Sequence, residues 1–114
     1  MPTYMSQFSY GVETWKQLAE NPEDRRDAIE PLLESLGGRL IAVYYAFGDY
    51  DGVVIFEAPD GVTAAAAVIA AIAPGHVSSV KTTRLLTVDE MQDALAKTKI
   101  VAERTGYDRP GGSG

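Results

Sequence analysis

An α+β domain built on one antiparallel sheet is the fold class this sequence predicts, and three observations predict it. Four segments alternate apolar and polar residues at the period of a strand, or are continuously apolar over strand length. Two helix-like segments separate the first strand from the second and the third from the fourth. Glycine, proline and aspartate punctuate the junctions. At 114 residues the chain is long enough for one core and short for two.

The first strand is Thr3 to Tyr10, where Tyr4, Ser6, Phe8 and Tyr10 share one face and Thr3, Met5, Gln7 and Ser9 the other. Gly11 ends it. Trp15, Leu18, Ile29, Leu32, Leu33 and Leu36 then follow a 3.6-residue stripe. Asn21-Pro22-Glu23-Asp24 interrupts that stripe with a helix start: a cap, proline at the first position, and acids at the positive end of the dipole. A short helical turn is therefore expected before a longer helix from about Pro22. Pro31 should bend this helix, because its ring opposes the carbonyl of Asp27, and Gly37-Gly38 should stop it.

The second strand is expected over Arg39 to Phe47 and the third over Gly52 to Ala58, joined by a turn containing Gly48-Asp49-Tyr50-Asp51. In that turn Gly48 can adopt positive φ, and Gly52 eases the return into the strand. Pro59-Asp60-Gly61 breaks the chain before a helix from Val62 to Ala73, which Pro74-Gly75 terminates. Its alanine run, Ala64 to Ala67, would let the helix approach the sheet closely. His76 to Leu86 reads as the fourth strand. Thr87-Val88-Asp89-Glu90 fits a capping box, opening a helix to about Arg104 that turns Met91, Ala94, Leu95 and Thr98 toward the body. The domain is thus expected over residues 1–104, with a flexible Gly/Pro/Ser tail over 105–114. This β-α-β-β-α-β order is the ferredoxin-like arrangement, with the helices packed on one sheet face.

Such a sheet ordinarily keeps its second face polar. Here strict alternation puts Leu40, Ala42, Tyr44 and Ala46 on one face of the second strand and Ile41, Val43, Tyr45 and Phe47 on the other. The third strand likewise has Val53 and Ile55 on one face and Val54 and Phe56 on the other. Two apolar faces call for two covers, and a second copy of the sheet is the simplest one, giving a homodimer or higher homo-oligomer. The competing arrangement is a monomer whose C-terminal helix folds over the open face.

Composition excludes several classes. The chain has no cysteine and one histidine, so disulfides, thiolate chemistry and a histidine-rich metal site within one chain drop out. A net charge of −6 with scattered basic residues argues against nucleic acid. No apolar run reaches the ~20 residues of a membrane span, and no leader pattern opens the chain, so a cytoplasmic bacterial protein is expected. Neither a metal nor a cofactor is expected, for no phosphate-cradling glycine loop or nucleophile elbow occurs.

Candidate chemistry concentrates in a few side chains. His76 is the only group whose unshifted pKa lies near neutrality, although Pro74-Gly75-His76 also reads as a surface turn. Tyr50 and Asp51 are candidates for proton transfer. Against this, an ordinary tyrosine phenol near pKa ~10 is a poor general acid, and an aspartate in such a turn commonly caps backbone amides. Tyr4, Tyr44, Tyr45 and Asp49 are candidate ligand contacts. Arg84 could hold a carboxylate inside the barrel that two such units packed sheet to sheet would form, or form a salt bridge at the surface. Trp15 reads as core packing or as a ligand platform.

Four stretches carry a resemblance: Pro2-Thr3-Tyr4, Leu36-Gly37-Gly38-Arg39-Leu40, Gly48-Asp49-Tyr50-Asp51 and Glu57-Ala58-Pro59-Asp60. Together they resemble the pattern of the GYD-domain family, named for its Gly, Tyr and Asp, over about Pro2 to Glu90. The resemblance implies kinship with dimeric α+β barrel proteins. Members of that wider superfamily include cofactor-free isomerases, cyclases and monooxygenases, haem binders and ligand-sensing modules, a range that transfers no reaction by itself. The expected function is a small-molecule binding or accessory protein holding an apolar or aromatic ligand between the sheets. Alternatives are a cofactor-free enzyme using His76, Tyr50 or Asp51, and a purely structural dimerisation module.

Overall fold

The computed structural model describes residues 1–111. Its elements run β1 (Thr3–Tyr10), α1 (Val12–Glu20), α2 (Arg26–Ser35), β2 (Arg39–Tyr45), β3 (Gly52–Glu57), α3 (Gly61–Ile72), β4 (Val77–Leu85) and α4 (Val88–Thr105). The four strands form one sheet in the order β2-β3-β1-β4, with every neighbouring pair antiparallel. This is the α+β, ferredoxin-like topology expected from the element order. The end of the tail, residues 112–114, lies outside the described residues.

The core lies between the sheet and the α2/α3 layer. Tyr4, Phe8 and Tyr10 of β1, Val54 and Phe56 of β3, Leu33 of α2 and Ala64 and Ala67 of α3 are buried in it. Alternation along β1 accounts for this directly, since the alternate residues from Tyr4 to Tyr10 are buried and those between them only half-buried. Ser6 shares the buried face and shares a 2.8 Å hydrogen bond with the Thr82 hydroxyl, so its polar atom is not left unpaired.

Two glycines allow backbone and ring to meet. A Cβ on Gly38 would overlap the Glu57 carbonyl, and one on Gly52 would overlap the Phe8 ring. Gly52 therefore serves close packing more than turn geometry, and Gly48 does not take up positive φ. Gly37 does, at φ 77°, and closes α2 with its N–H on the Glu34 carbonyl at 3.0 Å.

Three expectations are corrected. First, α2 begins at Arg26, not Pro22, because the Asp24 carboxylate accepts the Arg26 backbone N–H at 3.0 Å and so acts as the start signal. Second, β2 shifts register between Leu40 and Ala42. This irregularity at Ile41 reverses the alternation: Leu40, Val43 and Tyr45 pair with the helix-side residues Phe56, Val54 and Gly52, while Ala42 and Tyr44 pair with Ile55 and Val53. Third, α4 buries none of its residues. It runs away from the body, and the molecule measures 63 × 31 × 22 Å as a result.

Candidate functional site

The hairpin turn that joins β2 to β3 is fastened to the rest of the fold through Asp51. The Asp51 N–H donates to the Phe8 carbonyl at 2.8 Å, and its own carbonyl accepts the Ala46 N–H at 2.8 Å. Its carboxylate oxygen Oδ2 accepts the Tyr10 N–H at 3.0 Å and the Trp15 indole Nε1–H at 3.1 Å. One aspartate thus ties β1, the hairpin and α1 together. The indole it holds stands edge-on to Tyr10, with ring centroids 5.3 Å apart at 81°. Trp15 is not a core residue; it is 41% exposed.

Around this junction the helix-side aromatics gather. Tyr45 lies 6.5 Å from Tyr10 and 6.2 Å from Trp15, and the His76 ring lies 6.2 Å from Tyr10. The His76 carbonyl accepts the Gly11 N–H at 3.2 Å and the Thr14 hydroxyl at 3.1 Å, fixing it beside the start of α1. Burial pushes the Tyr10 phenol well above its ordinary pKa, reinforced by the adjacent Tyr45 hydroxyl. Burial also lowers the His76 pKa, and the neighbouring Arg25 guanidinium lowers it further.

Behind these residues an apolar cleft of ≈ 200 Å³ opens between α2 and α3. Phe8, Val54 and Phe56 form its floor; Ile29 and Leu32 line one wall, Ala67 and Ala71 the other; Arg25, His76 and Tyr10 stand among its polar groups. The alanines explain the opening, because small side chains on α3 leave space that larger ones would fill. Glu23 accepts one N–H from Arg25 at 2.9 Å, which leaves other guanidinium donors for a ligand. The space suits a small ligand, since a cavity of about 150 Å³ holds one benzene ring.

The expected site residues divide by location. His76, Asp51 and Tyr45 belong to this junction, with half-buried Tyr50 adjacent to Asp51 in the chain. Tyr4 is elsewhere in the core, stacked on Phe56 at 5.5 Å. Tyr44 lies on the open sheet face, 63% exposed. Arg84 pairs with Tyr4 across the ladder, hence on the helix side, and its guanidinium donates to Glu90 at 3.2 Å. Asp49 is exposed in the turn. Tyr10 and Arg25 were missed. The shared face of Tyr4, Phe8 and Tyr10 is the signal that could have found Tyr10; Arg25, in a polar connection, offered none. No group of three or more His, Cys, Asp or Glu side chains is arranged to hold a metal among the described residues.

The open sheet face is the second candidate surface. Met5, Ala42, Tyr44, Val53, Ile55 and Leu85 lie on it beside Gln7, Lys81 and the Arg39–Glu57 ion pair. Its apolar residues concentrate on β2 and β3, and α4 does not cover them. Among the described residues no helix is long and apolar enough to cross a membrane.

Comparison with known proteins agrees with this architecture. A Thermus thermophilus protein, the glutamine synthetase and cystathionine beta-lyase binding protein, is 31% identical over 101 residues, spanning 87% of this chain and 100% of that protein. The crystal structure of TTHA0845, also from Thermus thermophilus, superposes with a TM-score of 0.51 at 18% identity, covering 77% of this chain and 96% of that one, a likeness of fold alone. The family model for the GYD domain matches residues 4–95, which take in the sheet, the junction at Asp51 and the cleft: this chain belongs to the GYD domain family.

Proposed function

We propose that this protein is an accessory protein that holds a small apolar or aromatic molecule in the α2–α3 cleft and acts by binding a partner enzyme. The cleft carries the reading: it is concave, apolar and bordered by a few convergent polar groups, the usual form of a small-molecule site. Arg25 favours a ligand with an anionic head, while the volume favours a single ring or a short aliphatic body. The enzyme partner is proposed from the Thermus thermophilus relative, whose name describes binding to two enzymes. A homodimer formed through the open sheet face completes the proposal, supported by Tyr44, Val53 and Ile55 lying there without cover from α4.

A thermal-unfolding screen with aromatic and aliphatic carboxylates, benzoate and hexanoate among them, tests the cleft. A ligand at a hundred times its Kd stabilises the folded chain by about 2.7 kcal/mol. Filling the wall with Ala71→Phe should abolish the response. Absence of any response, or a response that survives Ala71→Phe, would remove the cleft from the function. Biolayer interferometry against glutamine synthetase tests the protein partner.

A second reading, a cofactor-free enzyme, rests on His76, which stands at the cleft with its pKa lowered by burial and by Arg25 and can accept a proton there. Asp51 is already engaged by two N–H donors, so His76 carries this reading, and turnover that persists in His76→Ala would end it.

A further inference from the structure

α4 is 18 residues long, buries none of them, and extends ~27 Å. Its start is firmly set: the Thr87 hydroxyl accepts the Glu90 N–H at 3.0 Å, Glu90 accepts the Thr87 N–H at 2.9 Å, and Arg84 donates to Glu90. In proteins most of a helix's stability comes from packing an amphipathic face. α4 has such a face. At 100° per residue, Val88, Met91, Leu95, Thr98, Ala102 and Thr105 fall in one stripe; the charged residues lie outside it, as do the exposed Ile100 and Val101. Met91 is 43% exposed and Leu95 54%.

The stripe is graded along its length. After Val88, its first half is bulky (Met91, Leu95) and its second half smaller (Thr98, Ala102, Thr105). Charge is graded in the same direction: Asp89, Glu90 and Asp93 precede Lys97, Lys99 and Arg104, with Glu103 the exception. Both gradients are satisfied by one occupant, the same helix reversed. With a two-fold axis between Ala96 and Lys97, Val88 meets Thr105 of a second copy, Met91 meets Ala102, and Leu95 meets Thr98. Met91 against Ala102 and Leu95 against Thr98 set large against small, Val88 and Thr105 being alike in shape, and the acidic half lies along the basic half except where Glu90 stands opposite Glu103. A parallel pair would set Leu95 against Leu95, leave a void at Ala102 and align like charges.

We propose that α4 is a dimerisation arm that packs antiparallel against α4 of a second copy. The proposal rests on the homodimer reading above. A helix ~27 Å long and ~10 Å wide has a footprint of about 270 Å², below the ~800 Å² per partner of a stable interface. The arm therefore adds to the sheet contact and does not replace it.

The absence of cysteine makes a clean test available. Full-length Met91→Cys and Ala102→Cys proteins are oxidised mildly, separately and after mixing with subunit exchange, and run on a non-reducing gel. Native mass spectra are recorded before oxidation. The antiparallel arm predicts cross-linking in the mixture at least tenfold above either protein alone, because like positions stand ~16 Å apart along the helix, too far for a disulfide. Cross-linking of each protein alone means a parallel arm and overturns the proposal. A dimer by mass with no cross-link overturns the arm and leaves the sheet dimer standing, whereas a monomer by mass removes both. Leu95→Asp gives an independent reading: the dimer dissociation constant should rise at least tenfold, and an unchanged constant would overturn the arm.

Discussion

α3, apolar nearly all round, and α4, with an apolar stripe, both carry residues that would suit the sheet, yet only α3 arrives. α3 buries Ala64 and Ala67, at 3% and 4% exposure, whereas α4 buries nothing. Side-chain size accounts for α3: two alanines a turn apart let its backbone settle close to the strands. Geometry accounts for α4. Only Leu86 and Thr87 separate it from β4, and the capping box with the Arg84–Glu90 pair directs it before it could turn back. An apolar stripe shows that a helix needs a partner; the connection before it determines whether that partner can be its own sheet.

Leucine truncation should break the comparison most visibly. Leu33→Ala, in the core beneath α2, should cost about 2–5 kcal/mol in urea unfolding. Leu95→Ala on α4 should stay within about 0.5 kcal/mol at concentrations low enough to keep the chain monomeric. A large loss at Leu95 under those conditions would mean that α4 packs on its own body.

Cap removal should sharpen the contrast at smaller scale. Asp60 accepts the Thr63 N–H at 2.8 Å at the start of α3, and Thr87 does the equivalent for α4. Each substitution to alanine should cost about 1 kcal/mol of helix stability. Asp60→Ala should lower the unfolding midpoint of the whole domain. Thr87→Ala should reduce helical circular dichroism while leaving that midpoint in place.

The smallest effect is pH-dependent and belongs to His76, which follows α3 at the cleft. Because the folded His76 pKa lies below its unfolded value, protonation favours the unfolded chain. The His76 contribution is intact above the unfolded value of about 6.5 and is lost as pH falls through the lowered folded value. His76→Gln should flatten this part of the stability profile, while Thr87→Ala leaves it unchanged. Equal slopes for the wild type and His76→Gln would show that the histidine is not desolvated at the cleft.

The element order was legible because turn residues mark its boundaries, Gly37-Gly38 and Pro59-Asp60-Gly61 most clearly. What was not legible depends on contacts between distant residues or on irregularity. The faces of β2 were misassigned because period-two reading assumes an unbroken ladder, and the shift at Ile41 breaks it. The start of α2 was misplaced because Asn21-Pro22 has the composition of a cap while Asp24 makes the hydrogen bond. Within the site, His76 and Asp51 stood out by residue type. The Asp51–Trp15 bond spans 36 positions, and no local pattern announces it. The cleft was the least legible feature, since alanines that permit close packing also leave space beside it.

The projecting helix also governs how this protein travels through a medium. Its radius of gyration is 19.0 Å, against ~13 Å for a compact chain of about this length. Drag grows with extension as well as with mass, so one copy will diffuse more slowly and leave a gel-filtration column earlier than a 12.2 kDa sphere. Copies of this chain are therefore to be counted by weighing them and not by their hydrodynamic size.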